Sequence, residues 1–162
     1  MYSLTIRPIQ FSDNAPLAKI IKSSIEELSL PTEGTAHSDP TTNNLFSLFQ
    51  MPRSFYWVAV QEGKVLGGCG IYPSSGLPQG YCELVRFFLA PAARGKGIGL
   101  ALMQKSFQTA VEMGYTHCYL ESFPEMKEAI TMYERNGFVR LNAPLGNTGH
   151  FSCNVWMVKK FK

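Results

Sequence analysis

The sequence predicts a single mixed α/β domain, and three observations carry that prediction. Strand-like segments dominate the first half, a strand-turn-helix-strand-helix-strand run follows, and a glycine-rich turn joins a buried strand to an amphipathic helix. A chain of 162 residues suits one domain with a real core. Hydrophobic residues make up 45% and charged residues 17%, a globular and not a disordered composition. No repeat, low-complexity segment or linker interrupts it, so residues 1–162 read as one unit.

The elements follow in order. Residues 2–7 alternate in period two and predict a first strand. Ser12 and Asp13 offer an N-cap, and Leu17, Ile20, Ile21, Ile25 and Leu28 recur at helical spacing after it. Residues 31–42, rich in Pro, Gly, Ser and Thr, predict a loop, followed by a short helix over 43–50. Strands are expected over 54–61 and 64–72, joined by a tight turn at Glu62-Gly63. Residues 73–80 form a turn-rich connection, and 81–89, apolar apart from Glu83 and Arg86, predict a central strand. A helix over 98–113 stops at Gly114, a strand spans 115–121, and a helix over 125–136 stops at Gly137. Strands over 138–141 and 151–160 complete the chain.

Composition excludes several functions. The net charge is only +3 and Lys159-Lys160 is the one adjacent basic pair, so no stripe suited to nucleic acid exists. Cys69, Cys82, Cys118 and Cys153 lie far apart without a CxxC pair, which predicts free, mostly buried thiols and no metal site. Reduced thiols, no leader pattern over residues 1–8 and no apolar stretch of roughly 20 residues predict a soluble, cytoplasmic chain without a membrane partner.

Arg94-Gly95-Lys96-Gly97-Ile98-Gly99, followed by Leu100, predicts an anion cradle. Glycines adopt φ > 0 and let amides approach an anion, the first turn of a helix supplies unpaired N–H groups and a positive dipole end, and Arg94 and Lys96 add charge. The GxGxG spacing is neither the Rossmann fingerprint, since Leu100 stands where the third glycine belongs, nor a Walker loop, since no Lys-Ser/Thr pair follows Gly99.

Residues 83–91 with Arg94 to Gly99 resemble motif A of the GNAT superfamily of N-acetyltransferases, Arg/Gln-x-x-Gly-x-Gly/Ala after an apolar strand. Ala129 with Tyr133-Glu134-Arg135-Asn136-Gly137-Phe138 resembles its second signature, a helix ending in Tyr-x-x-x-Gly-Phe. The resemblance implies the GNAT fold: a mixed, mostly antiparallel central sheet with a parallel splayed strand pair, flanked by helices. It implies acetyl-CoA as co-substrate, lying between the strands at 81–89 and 115–121. Backbone groups of Phe87, Phe88 and Leu89 would bind the pantetheine arm, and amides of Gly95, Lys96, Gly97, Ile98, Gly99 and Leu100 the pyrophosphate. Met126 stands where many members carry a cofactor-contacting Asn. A homodimer is a further expectation from the resemblance.

Transfer to an amine requires a neutral nucleophile, although a free alkylammonium has a pKa near ~10, so a base must take its proton. The oxyanion needs donors as well. Glu83, a carboxylate inside an apolar strand, is the first candidate base, a role the family comparison also implies; the structural alternative is pairing with Arg86. Glu121 is the rival base. Tyr133 matches the family's signature tyrosine and is the candidate general acid, with a packed aromatic as the alternative. Asp39 in the loop 37–40, and Asn147, Thr148, His150, Ser152 and Asn154 near the last strand, are candidate acceptor-binding residues. A lone His is more often a structural or surface residue than a catalytic one. Nothing in the sequence arranges a His as the activating base of Cys118 or Cys153, so direct attack in a ternary complex is expected over an acyl-enzyme. The predicted function is acetyl transfer to a primary amine of a small molecule. The alternatives are a protein Lys or N-terminal acetyltransferase and a non-catalytic acyl-CoA sensor.

Overall fold

A computed structural model describes residues 3–162. Its described residues form one seven-stranded sheet in the order β1-β2-β3-β4-β5-β7-β6. The strands are β1 (Thr5–Pro8), β2 (Phe55–Gln61), β3 (Lys64–Tyr72), β4 (Tyr81–Leu89), β5 (His117–Ser122), β6 (Val139–Leu141) and β7 (Val155–Lys160). Every pairing is antiparallel except β4 with β5. The helices are α1 (Asn14–Glu27), α2 (Leu45–Leu48), α3 (Ile98–Glu112) and α4 (Lys127–Arg135).

Apolar side chains leave the sheet on both faces. Leu17, Ile21 and Ile25 of α1 and Leu45 of α2 pack with Val58 and Tyr56 on one face. Leu102 and Met103 of α3 and Ile130 and Tyr133 of α4 pack with Leu84, Leu120 and Met157 on the other. Burial of this kind contributes about 25 cal/mol per Å² of apolar surface and holds the helices to the sheet.

Local chemistry explains where prediction and structure part. Tyr2, assigned to the first strand, lies outside the described residues. Asp13 does not cap α1. Its carboxylate accepts from the Gln10 amide at 2.8 Å and pairs with Arg7 at 2.8 Å, closing a short 3-10 turn before the helix. The loop at 31–42 ends in a 3-10 turn, Pro40–Asn44, because the Asp39 side chain caps the Thr41 amide. The last strand begins at Val155, not residue 151, because Phe151 and Ser152 turn back onto Gly34.

Two features of the sheet build the site. The register of β3 with β4 shifts between Gly68 and Gly70, and opposite it Arg86 takes φ +49°, a bulge that turns its side chain. A Cβ at Gly68 would lie 2.3 Å from the Tyr56 ring, so only glycine lets that ring cross β3 and donate from its hydroxyl to the Arg86 carbonyl at 2.7 Å. Secondly, β4 and β5 pair only at Tyr81–His117, Cys82–Cys118 and Glu83–Tyr119. Beyond Glu83 the edge of β4 that faces β5 has no strand partner, and the two strands splay.

Candidate active site

The splay connects the two faces of the sheet. On the α3–α4 side an open cleft of about 630 Å³ runs between the end of β4, the glycine turn and α4. On the α1 side a narrow cavity of about 70 Å³ is lined by Glu83, Arg86, Glu121, His150 and Cys153 among apolar walls. Phe87, Phe88, Met126 and Tyr133 line both.

The open cleft suits a long anionic ligand. Gly95 and Gly97 take φ +74° and +80°, and α3 begins directly after Gly97. Both glycines are needed for backbone conformation, since a Cβ at either would meet nothing within 4 Å. The unpaired amides of the first turn of α3 open at this point. The free edge of β4 at Phe87, Phe88 and Leu89 offers backbone groups for an extended amide arm. Arg94 has a second occupation: its guanidinium pairs with Glu27 at 3.0 Å and donates to the Leu89 carbonyl at 3.1 Å, tying α1 to the turn. Lys96 is exposed beside it. Met126 precedes α4 and accepts from Ser122 through sulfur.

Glu83 is the deeply buried carboxylate of the cavity. It is 4% exposed and accepts a 2.5 Å hydrogen bond from Ser74. Burial, reinforced by the charge of Glu121 and opposed by Ser74 and Arg86, pushes its carboxyl up to about 8. The alternative partner, Arg86, is turned away by the bulge. Its Nε donates to Thr42 at 3.1 Å and its Nη2 to Asp39 at 2.9 Å and Thr41 at 3.0 Å. Glu121 is held by two hydroxyls, accepting from Tyr119 at 2.7 Å and from Thr148 at 2.5 Å. Tyr133 is 6% exposed, packed between Phe87 and Phe138, with its hydroxyl unpaired among the described residues. Burial pushes that hydroxyl well above its ordinary range.

The predicted acceptor residues divide. His150 lines the cavity and its Nε2 lies 2.8 Å from Asp39. Burial and Arg86 hold the imidazole below its ordinary range, against the opposing pull of Asp39 and Glu121. Asp39 itself is no free anion for an ammonium. Its carboxylate, pulled down to about 2 by Thr41, His150 and Arg86 despite burial, is occupied by those partners. Asn147 and Asn154 line neither opening and are exposed, because the segment that carries them covers the cavity from outside. Asn147 fixes that cover through its backbone, donating to the Ser75 carbonyl at 2.9 Å. Ser152 does the same by donating to the Gly34 and Glu33 carbonyls at 3.1 and 2.7 Å.

Sequence reasoning missed Ser74, Thr42 and the clamp of Tyr119 on Glu121. These polar residues are remote from their partners along the chain or lie in ordinary turns and strands, and no motif marks them. The four cysteines are free, three of them buried. Cys153, at the cavity wall, is pushed up to about 12 by burial and the two glutamates, so it stays a thiol. Among the described residues no His/Cys/Asp/Glu group could hold a metal ion, and no helix is long and apolar enough to cross a membrane.

Comparison with known proteins places the fold in a family. A model described as the Acetyltransferase (GNAT) family matches residues 22–138. The chain is 37% identical over 159 residues to the "Uncharacterized N-acetyltransferase YjgM" of Escherichia coli K12, covering 98% of this chain and 95% of that protein. A GNAT-family acetyltransferase of Staphylococcus aureus Mu50 shares the fold with a TM-score of 0.84 at 20% identity, over 99% of this chain and 100% of that one. The PaiA N-acetyltransferase of Thermoplasma acidophilum, solved in complex with coenzyme A, shares it with a TM-score of 0.72 at 18% identity, over 98% and 99%. The chain belongs to the GNAT family of acetyltransferases and is an acetyl-CoA-dependent N-acyltransferase.

Proposed function

We propose that this enzyme acetylates a primary amine of a small molecule by direct attack in a ternary complex. The observation that carries the reading is the pair of openings joined at Tyr133, with Glu83 buried in the narrower one. Acetyl-CoA supplies the acetyl thioester. The amides after Arg94 and the free edge of β4 hold its phosphates and its arm. Glu83 takes the proton of the incoming ammonium, and an acidity matched to neutral pH suits it to that task. Glu121, already bonded to two hydroxyls, attracts the ammonium instead of serving as the base. Tyr133 keeps its proton and donates it to the departing thiolate. Cys153, a thiol at neutral pH, argues against an acyl-enzyme.

The narrow cavity favours a small acceptor over a protein chain. Its cover is fastened across Asp39–His150 and Ser152–Gly34, which narrows the approach to the cavity. Free thiols suit a reducing compartment, which favours the cytoplasm as its place of action. Initial-rate measurements of CoA release against small primary amines test the reading, and intersecting double-reciprocal lines are expected. Parallel lines, or peptide amines preferred over every small amine, would contradict it. Tight acetyl-CoA binding with no CoA release from any acceptor would mark a sensor.

A further inference from the structure

The acceptor cavity contains one cation, and its bonding is incomplete. The Arg86 side chain is 5% exposed and lines the cavity wall. Nε is engaged by Thr42 and Nη2 by Asp39 and Thr41, but Nη1 has no hydrogen-bond partner among the described residues. No enclosed side-chain nitrogen or oxygen is left unpaired among those residues, so Nη1 keeps some solvent contact, and the residue that carries it lines the cavity. A guanidinium presents donors in a fixed planar fork, and an open donor on an almost wholly buried Arg is a position for an anionic oxygen.

The position of that donor restricts the anion. Glu83 stands three residues before Arg86 on β4 and lines the same cavity. At about 3.3 Å per residue the two Cα atoms are within about 10 Å, and the bulge at Arg86 breaks the strand alternation so that both residues line this cavity. An ammonium delivered to Glu83 and an anion held by Nη1 therefore sit close together in one molecule. The other walls, Ile25, Leu30, Phe123 and Met126, are apolar. They present an apolar surface to a substituent and offer no further charge. Asp39 balances Arg86, and Glu121 adds a negative charge near the ammonium position. A diamine would set a cation against Arg86, and a dicarboxylate would set a second anion against Glu121.

We propose that Arg86 Nη1 receives the carboxylate of the acceptor, so that the acceptor is a free α-amino acid with an apolar side chain. This inference rests on the small-molecule reading above and narrows it. His150 and Asp39 act as positioning residues, fixing the guanidinium plane from behind.

Matched compounds test it. CoA release is measured at saturating acetyl-CoA with L-leucine, L-phenylalanine and L-methionine, with their methyl esters, with isoamylamine and phenethylamine as decarboxylated partners, and with putrescine. A site that pairs with a substrate group rejects the analogue lacking it, so the free acids are expected to exceed esters and amines at least about tenfold in kcat/KM. Arg86→Gln should erase that ratio and Arg86→Lys restore part of it, chiefly through the acceptor KM. Calorimetric acetyl-CoA binding should stay near the unmodified value and reports that each variant is folded. If Arg86→Gln does not fold, the acid-to-amine ratio of the unmodified enzyme decides alone. Amines, esters or putrescine turned over as well as the acids overturn this inference and leave the small-amine reading standing. No turnover with any compound of the panel overturns both.

Discussion

Asp39 and His150 lie 111 residues apart in the chain and 2.8 Å apart in the fold, and Arg86 meets the same carboxylate oxygen at 2.9 Å. One carboxylate thus joins the loop after α1, the bulge of β4 and the segment before β7. Those three pieces enclose the acceptor cavity. Asp39→Asn should cost about 1–3 kcal/mol in chemical denaturation, because charge-assisted bonds to a buried guanidinium are lost. The folded carboxyl is held at about 2 against an ordinary 3.8, so its stabilisation is present above pH 3.8 and is lost as pH falls towards 2. The variant's deficit should accordingly shrink over that acid window.

His150→Ala should act on acceptor binding and not on the donor. The imidazole lines the cavity and holds Asp39 in place. An acceptor KM raised about tenfold, equivalent to the loss of one hydrogen bond near 1.4 kcal/mol, is expected with acetyl-CoA affinity unchanged. Steady-state kinetics with calorimetry separates the two.

Tyr133→Phe removes one hydroxyl from a ring that stays packed between Phe87 and Phe138. Thermal stability should change little. Loss of a proton donor to the leaving thiolate should lower kcat by about 100-fold while acetyl-CoA binding persists. Unchanged turnover would remove Tyr133 from the mechanism.

Gly97→Ala tests the cradle. Nothing lies within 4 Å of the added methyl, so any cost comes from φ +80° alone. A left-handed alanine costs roughly 1–2 kcal/mol. The variant should be destabilised by that amount or relax the turn and bind acetyl-CoA more weakly, as calorimetry would register.

Much of this was legible in the sequence, and the reason is local. Gly95 and Gly97 mark positive φ directly, and the alternation and helical spacing of the apolar residues set the order of elements. The parallel pairing of β4 with β5 followed from the family resemblance of the two motifs that flank it. Glu83 stood out as a carboxylate in an apolar strand. What stayed hidden depends on distant partners. Arg86 is close to Glu83 in any sequence reading, yet a bulge set by Gly68, Gly70 and Tyr56 carries it to Asp39. Asn147 and Asn154 carry acceptor-like chemistry but fall outside the cavity, because Phe151 and Ser152 anchor their segment on Gly34 only after folding.

The stability of the fold should carry the signature of Glu83 as well. The folded carboxyl sits at about 8 and the unfolded one near 4.5, so between those values the folded state holds a proton that the unfolded chain releases. Stability from this group is fully present below pH 4.5 and falls as pH rises to 8, at about 1.4 kcal/mol per pH unit. Glu83→Gln, which keeps the Ser74 hydrogen bond without the charge, should flatten that fall in denaturation curves taken across the window from pH 4.5 to 8.

The most direct measurement is the pH profile of kcat for the unmodified enzyme and for Glu83→Gln, at saturating acetyl-CoA and acceptor. With Glu83 as the base, kcat should rise through about pH 8 to a plateau as the carboxyl loses its proton. The variant should lose that limb and about 100-fold or more of the plateau rate while still binding acetyl-CoA. A variant with the same profile and a similar rate would contradict the assignment of Glu83 and the mechanism built on it.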